Sequence, residues 1–402
     1  MPTPTASPQQ SLATAAYIHI PFCRRRCYYC DFPISVLGDR RRGETSGTLQ
    51  QYLAALHQEI AATRPYGPPL ETVFFGGGTP SLLAVDQLQQ LLAHLEQRFG
   101  LAPNAEISME MDPGTFDLAH MQGYRAAGVN RVSLGVQAFQ SEILQACGRT
   151  HTATDIGQAV DILHQGGIQN YSLDLISGLP HQTLSHWQDS LTQAIALQPQ
   201  HISVYDLTIE PGTAFDKWYQ AGSAPLPTDE RTTEMYRLAQ RTLTQAGFEH
   251  YEISNYAQPG YLCRHNQVYW QNRAYYGFGM GATSYLQKQR FSRPRKLRQY
   301  YQWVSAYQQT GQIDCPPTPP AEQLLDQLMV ELRLAAGIDL IALAQQFGLD
   351  IVERIQKRLQ PYVQQGWVEI TAEAASSRLR LSDPEGFLFS NVVLAALFAE
   401  FD

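Results

Sequence analysis

Residues 17–32, Y-I-H-I-P-F-C-R-R-R-C-Y-Y-C-D-F, place Cys23, Cys27 and Cys30 close together on one loop, directly after a stretch that reads as a short strand. Thiolates at C-x3-C-x2-C spacing can grip one soft metal centre from a single loop. Iron–sulfur clusters are ordinarily held by four cysteine thiolates, so a loop offering three leaves one iron without a protein ligand. An open iron is useful only where a second molecule must bind. Tyr29, just before the third cysteine, adds a flat apolar surface beside it. Two plainer readings stay open at this point: three cysteines buried as small apolar residues, or a zinc site completed by His19.

The bulk numbers fit a soluble globular protein with a sizeable core. The 402 residues are 44% hydrophobic and 16% charged, which suits one large domain plus a smaller one. The net charge of −8 argues against broad nucleic-acid binding, which needs a basic face. Six cysteines, three of them scattered at positions 147, 263 and 315, do not make a secreted disulfide framework. Residues 1–16 lack a basic region followed by an apolar core and read as a flexible tail. A cytoplasmic protein is expected, and no run approaches the ~18 apolar residues of a membrane span.

Along the chain, strands and helices alternate. A polar loop at Arg40-Arg41-Arg42-Gly43 precedes a helix over residues 48–64, set by Leu49, Tyr52, Leu53, Leu56 and Ile60. A strand over 71–75 runs into Gly76-Gly77-Gly78-Thr79-Pro80, where consecutive glycines signal close backbone approach. Further strands are expected over 106–111, 131–135, 170–176, 201–207 and 248–253, with helices between them. About six βα units argue for a parallel α/β sheet or barrel, with chemistry at the carboxyl ends of the strands. From about residue 290 the texture changes, and a proline-rich stretch at 316–320 punctuates a linker-like region. Three helices and two strands beyond it resemble a winged helix. The third helix carries Asp350 and Glu353 beside Arg354, Lys357 and Arg358, so a scaffold or lid is expected rather than a DNA reader. The apolar segment 387–398 is expected as a packed helix.

C-x3-C-x-aromatic-C resembles the signature of the radical S-adenosylmethionine (SAM) enzymes. The resemblance implies a partial (β/α)6 barrel over residues 17–289, followed by a smaller helical, winged-helix-like domain over 290–402. It also implies a [4Fe–4S] cluster on Cys23, Cys27 and Cys30. In that superfamily the open iron is chelated by SAM, and an electron from the cluster releases a 5′-deoxyadenosyl radical. Gly76, Gly77, Gly78 and Thr79 match the glycine motif whose backbone meets the SAM amino group. In the branch that resembles coproporphyrinogen oxidases, Glu110 matches a SAM-contacting carboxylate and Gln137 a SAM-binding glutamine. Arg149 matches an arginine near the SAM carboxylate, Asp174 a ribose contact, and Tyr17 a tyrosine ahead of the cysteine loop.

Two departures point away from oxidase activity. Those oxidases typically carry a fourth cysteine where this chain has Phe32, and a longer N-terminal extension. The C-D-F ending instead resembles the HemW family of heme chaperones. So does His265-Asn266-x-x-Tyr269-Trp270, the H-N-x-x-Y-W motif implicated in heme handling there. Histidine is a common axial ligand of heme iron, and Tyr269 and Trp270 are flat surfaces for a porphyrin. His250 and Cys263 are weaker candidate ligands. This resemblance implies heme as cargo, apo-hemoprotein acceptors that sit in part at the membrane, and a homodimer promoted by the cluster. The runner-up is oxidative decarboxylation of a porphyrinogen propionate.

Overall fold

The computed structural model describes residues 12–38, 45–313, 315–373 and 376–401. Most of the expected tail and the triple-arginine loop lie outside them. The strands, in chain order, are β1 (Ala15–Ile20), β2 (Phe22–Cys23), β3 (Ser35–Val36), β4 (Leu70–Gly77), β5 (Leu101–Met111), β6 (Arg131–Gln137), β7 (Tyr171–Ser177), β8 (His201–Asp206), β9 (Glu249–Glu252), β10 (Asn255–Ala257), β11 (Tyr276–Phe278), β12 (Thr283–Leu286), β13 (Gln289–Ser292), β14 (Ile338–Asp339), β15 (Val368–Glu373) and β16 (Ser376–Leu381).

One sheet carries the order β11-β1-β4-β5-β6-β7-β8-β10-β9. From β11 to β8 every neighbour is parallel, and β10 and β9 close that edge antiparallel. Parallel neighbours require crossovers, and most of these are helices whose starts are written locally. Asp117, Thr152, Thr183 and Thr228 each accept a backbone N–H as N-caps of Leu118–Ala127, Ala153–Gln165, Leu184–Ala196 and Asp229–Gln245. Such a cap stabilises its helix by ~1 kcal/mol.

The period of two along the strands sorts the side chains. Ile107, Met109 and Met111 of β5 and Val132, Leu134 and Val136 of β6 pack outward under the helices, in the main core. The alternate positions, Glu106, Ser108 and Glu110 with Arg131, Ser133 and Gly135, face the polar interior of the open barrel. The radical SAM partial barrel expected from the motifs is therefore the fold observed.

The helix Leu297–Thr310, unassigned in the sequence between Pro294 and Pro316, packs on Gly47–Ala62 and buries Tyr300 and Val304 in the barrel core. A separate core, beginning at Leu324, is formed by Pro320–Glu331, Leu340–Phe347, Leu349–Gln364, Ser390–Phe401 and the small sheet β14-β16-β15. This winged-helix-like unit is pinned to the barrel. Arg237 grips Glu385 through two bonds of 2.7 Å, His250 Nδ1 meets Asp383 at 2.8 Å, and Ile253 N–H donates to Arg333 O at 3.0 Å.

Candidate functional site

β1 ends at Ile20 and delivers the chain into the cysteine loop at the carboxyl end of the sheet. The loop is closed by the β2–β3 clip, which pairs Phe22 with Ser35 and Cys23 with Val36. Arg26 stiffens it from within, donating to the carbonyls of Cys30 (3.0 Å), Phe32 (3.4 Å) and Ile34 (3.4 Å). Two outside segments hold it down: Tyr28 N–H donates to Cys147 O at 3.0 Å, and Phe215 N–H to Tyr28 O at 3.1 Å. Cys23, Cys27 and Cys30 are free and half-buried. Burial pushes the Cys23 thiol up to about 12, with Asp112 adding to it, and also raises Cys30. Cys23 and Cys30 are thereby biased toward the thiol form, whose proton metal uptake displaces.

The zinc reading with His19 does not fit. Both ring nitrogens of His19 are engaged, Nδ1 with the Tyr17 hydroxyl and Nε2 with Pro33 O, each at 3.0 Å. Among the described residues no three His, Cys, Asp or Glu side chains converge on a single ion. A cuboidal cluster needs a different arrangement, with one thiolate at each of three separate iron corners.

The glycines are glycines for reasons visible in this chain. A Cβ on Gly76 would lie 2.9 Å from the Tyr17 ring and 3.1 Å from Glu110 Oε1. Gly77 has φ +117°, and a Cβ there would lie 2.5 Å from the His19 ring; on Gly78 it would lie 3.0 Å from Cys23 Sγ. The amides of this turn are already spent: Gly77 N–H donates to Glu110 Oε2 at 2.9 Å, Gly78 N–H to Ile20 O at 2.9 Å and Thr79 N–H to Phe22 O at 2.8 Å. What the turn leaves to offer is carbonyl oxygens, the atoms able to accept from a ligand's amino group.

The neighbouring strand ends bring in charge. Glu110 sits against Tyr17 and the glycine turn; burial, then Asp174 and Asp112, lift its carboxyl to about 8 against the pull of the Gly77 amide. Asp174 is raised by burial and steadied by the hydroxyls of Ser133 (2.9 and 2.8 Å) and Ser172 (3.1 Å). Arg149 pairs with Asp112, donates to Gly135 O at 2.7 Å, and points Nη1 at Cys27 Sγ, 3.6 Å away. Gln137 adopts φ +67°, rare for a residue with a Cβ, at a register irregularity of β6. Its amide lies over Gly135, beside Asp112 and Arg149. Tyr29 is partly buried against Phe215, next to Cys27 and Arg149. Cys23, Cys27, Cys30, Tyr17, Tyr29, Gly76–Thr79, Glu110, Gln137, Arg149 and Asp174 are thus gathered at one end of the barrel. The sequence reading missed Asp112, the hub that also accepts the Thr79 hydroxyl at 3.0 Å. Its signal was the period of two from Ser108 through Glu110.

The H-N-x-x-Y-W residues lie deeper along the strands, with Tyr269 near enough to Tyr17 and Glu110 to interact with them electrostatically. They form the helix Arg264–Trp270, beside the amino-terminal end of β4. His265 is almost fully buried and stacks on Phe74 at 5.2 Å. Its Nδ1 is bonded to Thr72 Oγ1 and its Nε2 to the Tyr269 hydroxyl, both at 2.8 Å, and burial drives its pKa down to about 3. Thr72 lies four residues before Gly76, roughly 13 Å along an extended strand. Trp270 lies under the Arg333 guanidinium at 5.5 Å, where the barrel meets the C-terminal unit, and Asn266 is half-buried. Cys263 is buried ahead of this helix, and His250 is committed to Asp383. Imidazole and ring surfaces are thus present in the motif, but as packed and bonded groups.

Among known proteins, the Radical SAM superfamily profile matches residues 17–194 and the HemN C-terminal domain profile residues 318–388. The heme chaperone HemW of Synechocystis sp. is 49% identical over 96% of this chain and 97% of its own length. The heme chaperone HemW of Bacillus subtilis is 32% identical, covering 96% and 99%. The solved coproporphyrinogen III oxidase HemN of Escherichia coli superposes with a TM-score of 0.80 at 25% identity, over 97% of this chain and 91% of that one. On this likeness over nearly its whole length, the chain belongs to the HemW family of heme chaperones, within the radical SAM superfamily.

Proposed function

We propose that this protein binds heme and passes it to apo-hemoproteins, and that Cys23, Cys27 and Cys30 hold a [4Fe–4S] cluster whose open iron takes SAM. The observation that carries the cofactor reading is the meeting of a three-thiol loop with Glu110, Asp112 and Arg149 at the same strand ends. When bound, the cluster supplies a single electron to SAM. The chain's own residues do the rest. Glu110 and the carbonyls of the glycine turn would accept from the N–H groups of the SAM amine, Arg149 would face the carboxylate, and Asp174 the ribose hydroxyls. Gln137 adds an amide beside them, Tyr17 orients Glu110's surroundings, and Tyr29 screens the thiols from water. Phe32 in place of a fourth cysteine favours the chaperone over the oxidase. Homodimer formation and acceptors at the membrane belong to the same reading. Among the described residues no helix is long and apolar enough to cross a bilayer.

For heme we propose the H-N-x-x-Y-W helix at the seam between barrel and C-terminal unit, with His265, Asn266, Tyr269 and Trp270 as the contacting residues. His265 can ligate iron only after one ring nitrogen is released, Nε2 by the Tyr269 hydroxyl or Nδ1 by Thr72. Titration of hemin into the purified protein should give a saturable Soret band, and His265→Ala should weaken binding at least about tenfold, ~1.4 kcal/mol. Equal affinity in the variant removes His265 from the heme site. No uptake by the parent protein, or conversion of coproporphyrinogen III under reducing conditions with SAM, removes the chaperone reading itself.

SAM affinity should depend on pH through Glu110. In the empty site burial lifts its carboxyl to about 8, and an amine donating N–H bonds to it favours the ionised form. Binding therefore expels the Glu110 proton, so this carboxyl adds up to a tenfold rise in affinity per pH unit below about 8 and nothing above it. Calorimetry of SAM binding to the reconstituted protein in buffers of different ionisation enthalpy reads that proton directly. A flat profile in the parent would discard the assignment, whereas Glu110→Gln should bind weakly and release one proton fewer.

A further inference from the structure

We propose that Arg149 is a positioning residue for charge: its guanidinium donates a hydrogen bond to Cys27 Sγ, with Asp112 as counterweight, and so sets the reduction potential of the centre that the thiolates hold. The inference rests on the cluster assignment above. It adds to the contact with the SAM carboxylate, and it concerns a different atom of the site.

The geometry is specific. Arg149 Nη1 lies 3.6 Å from Cys27 Sγ, a hydrogen-bond distance for the larger sulfur atom. The guanidinium cannot swing away, because Nη2 is held by Gly135 O at 2.7 Å and by the Asp112 carboxylate. Its backbone is fixed as well, with Arg149 N–H donating to Leu144 O at 2.9 Å. The preceding Gly148 has φ +76°, and a Cβ there would lie 3.1 Å from the Tyr28 ring. Tyr28 N–H in turn bonds Cys147 O, so the two loops are stitched together on either side of the Cys27–Arg149 contact. The Arg149 side chain is 9% exposed, so solvent screens this contact little. Arg26 lies close to Cys30 but spends its donors on backbone carbonyls.

Hydrogen bonds to cluster sulfurs, together with net local charge, are what tune such potentials. A donor and a positive charge at Cys27 stabilise the more negative, reduced form and raise the potential. The Asp112 carboxylate offsets that charge and lowers it. Arg149 itself stays protonated throughout, so each reduction moves one electron into the cluster and no proton at this residue.

The two partners therefore have opposite effects, which a purely structural contact would not produce. In a dithionite redox titration of the reconstituted full chain without SAM, followed by the electron paramagnetic resonance of the reduced cluster, Arg149→Met should shift the midpoint to more negative potential. Asp112→Asn should shift it to more positive potential, and Arg149→Lys should fall between Arg149→Met and the parent. Coincident midpoints, or shifts of the same sign in Arg149→Met and Asp112→Asn, overturn the proposal. If Arg149→Met takes up no iron, Asp112→Asn decides alone: a positive shift supports the proposal, and an unchanged or negative one ends it. A parent protein that forms no cluster brings down the cofactor reading, and this inference with it.

Discussion

Replacing Glu59 by Ala should cost about 3–5 kcal/mol of stability, because it strands a buried guanidinium. Glu59 is fully buried on the helix Gly47–Ala62. Its carboxylate accepts Arg293 Nε at 2.7 Å, the Tyr300 hydroxyl at 2.7 Å and the Gly279 amide at 2.9 Å. The Arg293 side chain is 1% exposed, so neither charge has water to fall back on. The network also serves the site. Tyr52, on the same helix, donates to His19 O at 2.6 Å and accepts from Met280 N–H at 3.1 Å, which ties the strand that launches the cysteine loop to the segment after β11. Urea denaturation followed by tryptophan fluorescence should show the loss, and pairing Glu59→Leu with Arg293→Leu should recover much of it. A single variant within ~1 kcal/mol of the parent would mean that the pair contributes packing and no more.

That network was invisible in the sequence, since Glu59 and Arg293 are 234 positions apart and each alone reads as a surface charge on its element. What was legible is what local chemistry writes. The βα alternation, the strand-end glycines and the capping threonines and aspartate all act within a few residues. Glu110, Gln137 and Asp174 are legible only through resemblance to the family's motifs, whereas the period of two that runs through Ser108 and Glu110 is legible in the residues themselves. Followed one step further it would have reached Asp112. Leu297–Thr310 was missed because Tyr300, Val304 and Tyr307 keep helical spacing among glutamines and other aromatics, between two proline signals. The H-N-x-x-Y-W helix is the opposite case. His265 and Tyr269, at i and i+4, share a face, and a sequence does not say whether that face meets a ligand or the barrel interior. Here it meets Thr72 and Phe74.

Cys27→Ala, Cys23→Ala and Cys30→Ala should each abolish the cluster and, with it, SAM binding, while leaving the fold intact. The three thiols are half-buried and none belongs to the main core. The loop's shape is kept by groups other than sulfur: the β2–β3 clip, the Arg26 guanidinium, and the backbone bonds to Cys147 and Phe215. Far-ultraviolet circular dichroism should therefore be unchanged in all three variants. Anaerobic reconstitution should leave iron and sulfide at background in each, because a cuboidal cluster held by three thiolates has no spare protein ligand to recruit. Cys147 is the one other thiol beside the loop, lying next to Cys27, and its burial pushes it up to about 12. It is fully buried in the small core with Phe215 and Leu179, so it cannot turn toward an iron without breaking that packing. Cys147→Ala should accordingly keep full iron content. Retention of iron by Cys27→Ala together with its loss in Cys147→Ala would reassign the ligands, and tightly bound zinc without iron in the parent would restore the single-ion reading that the engaged His19 ring argues against.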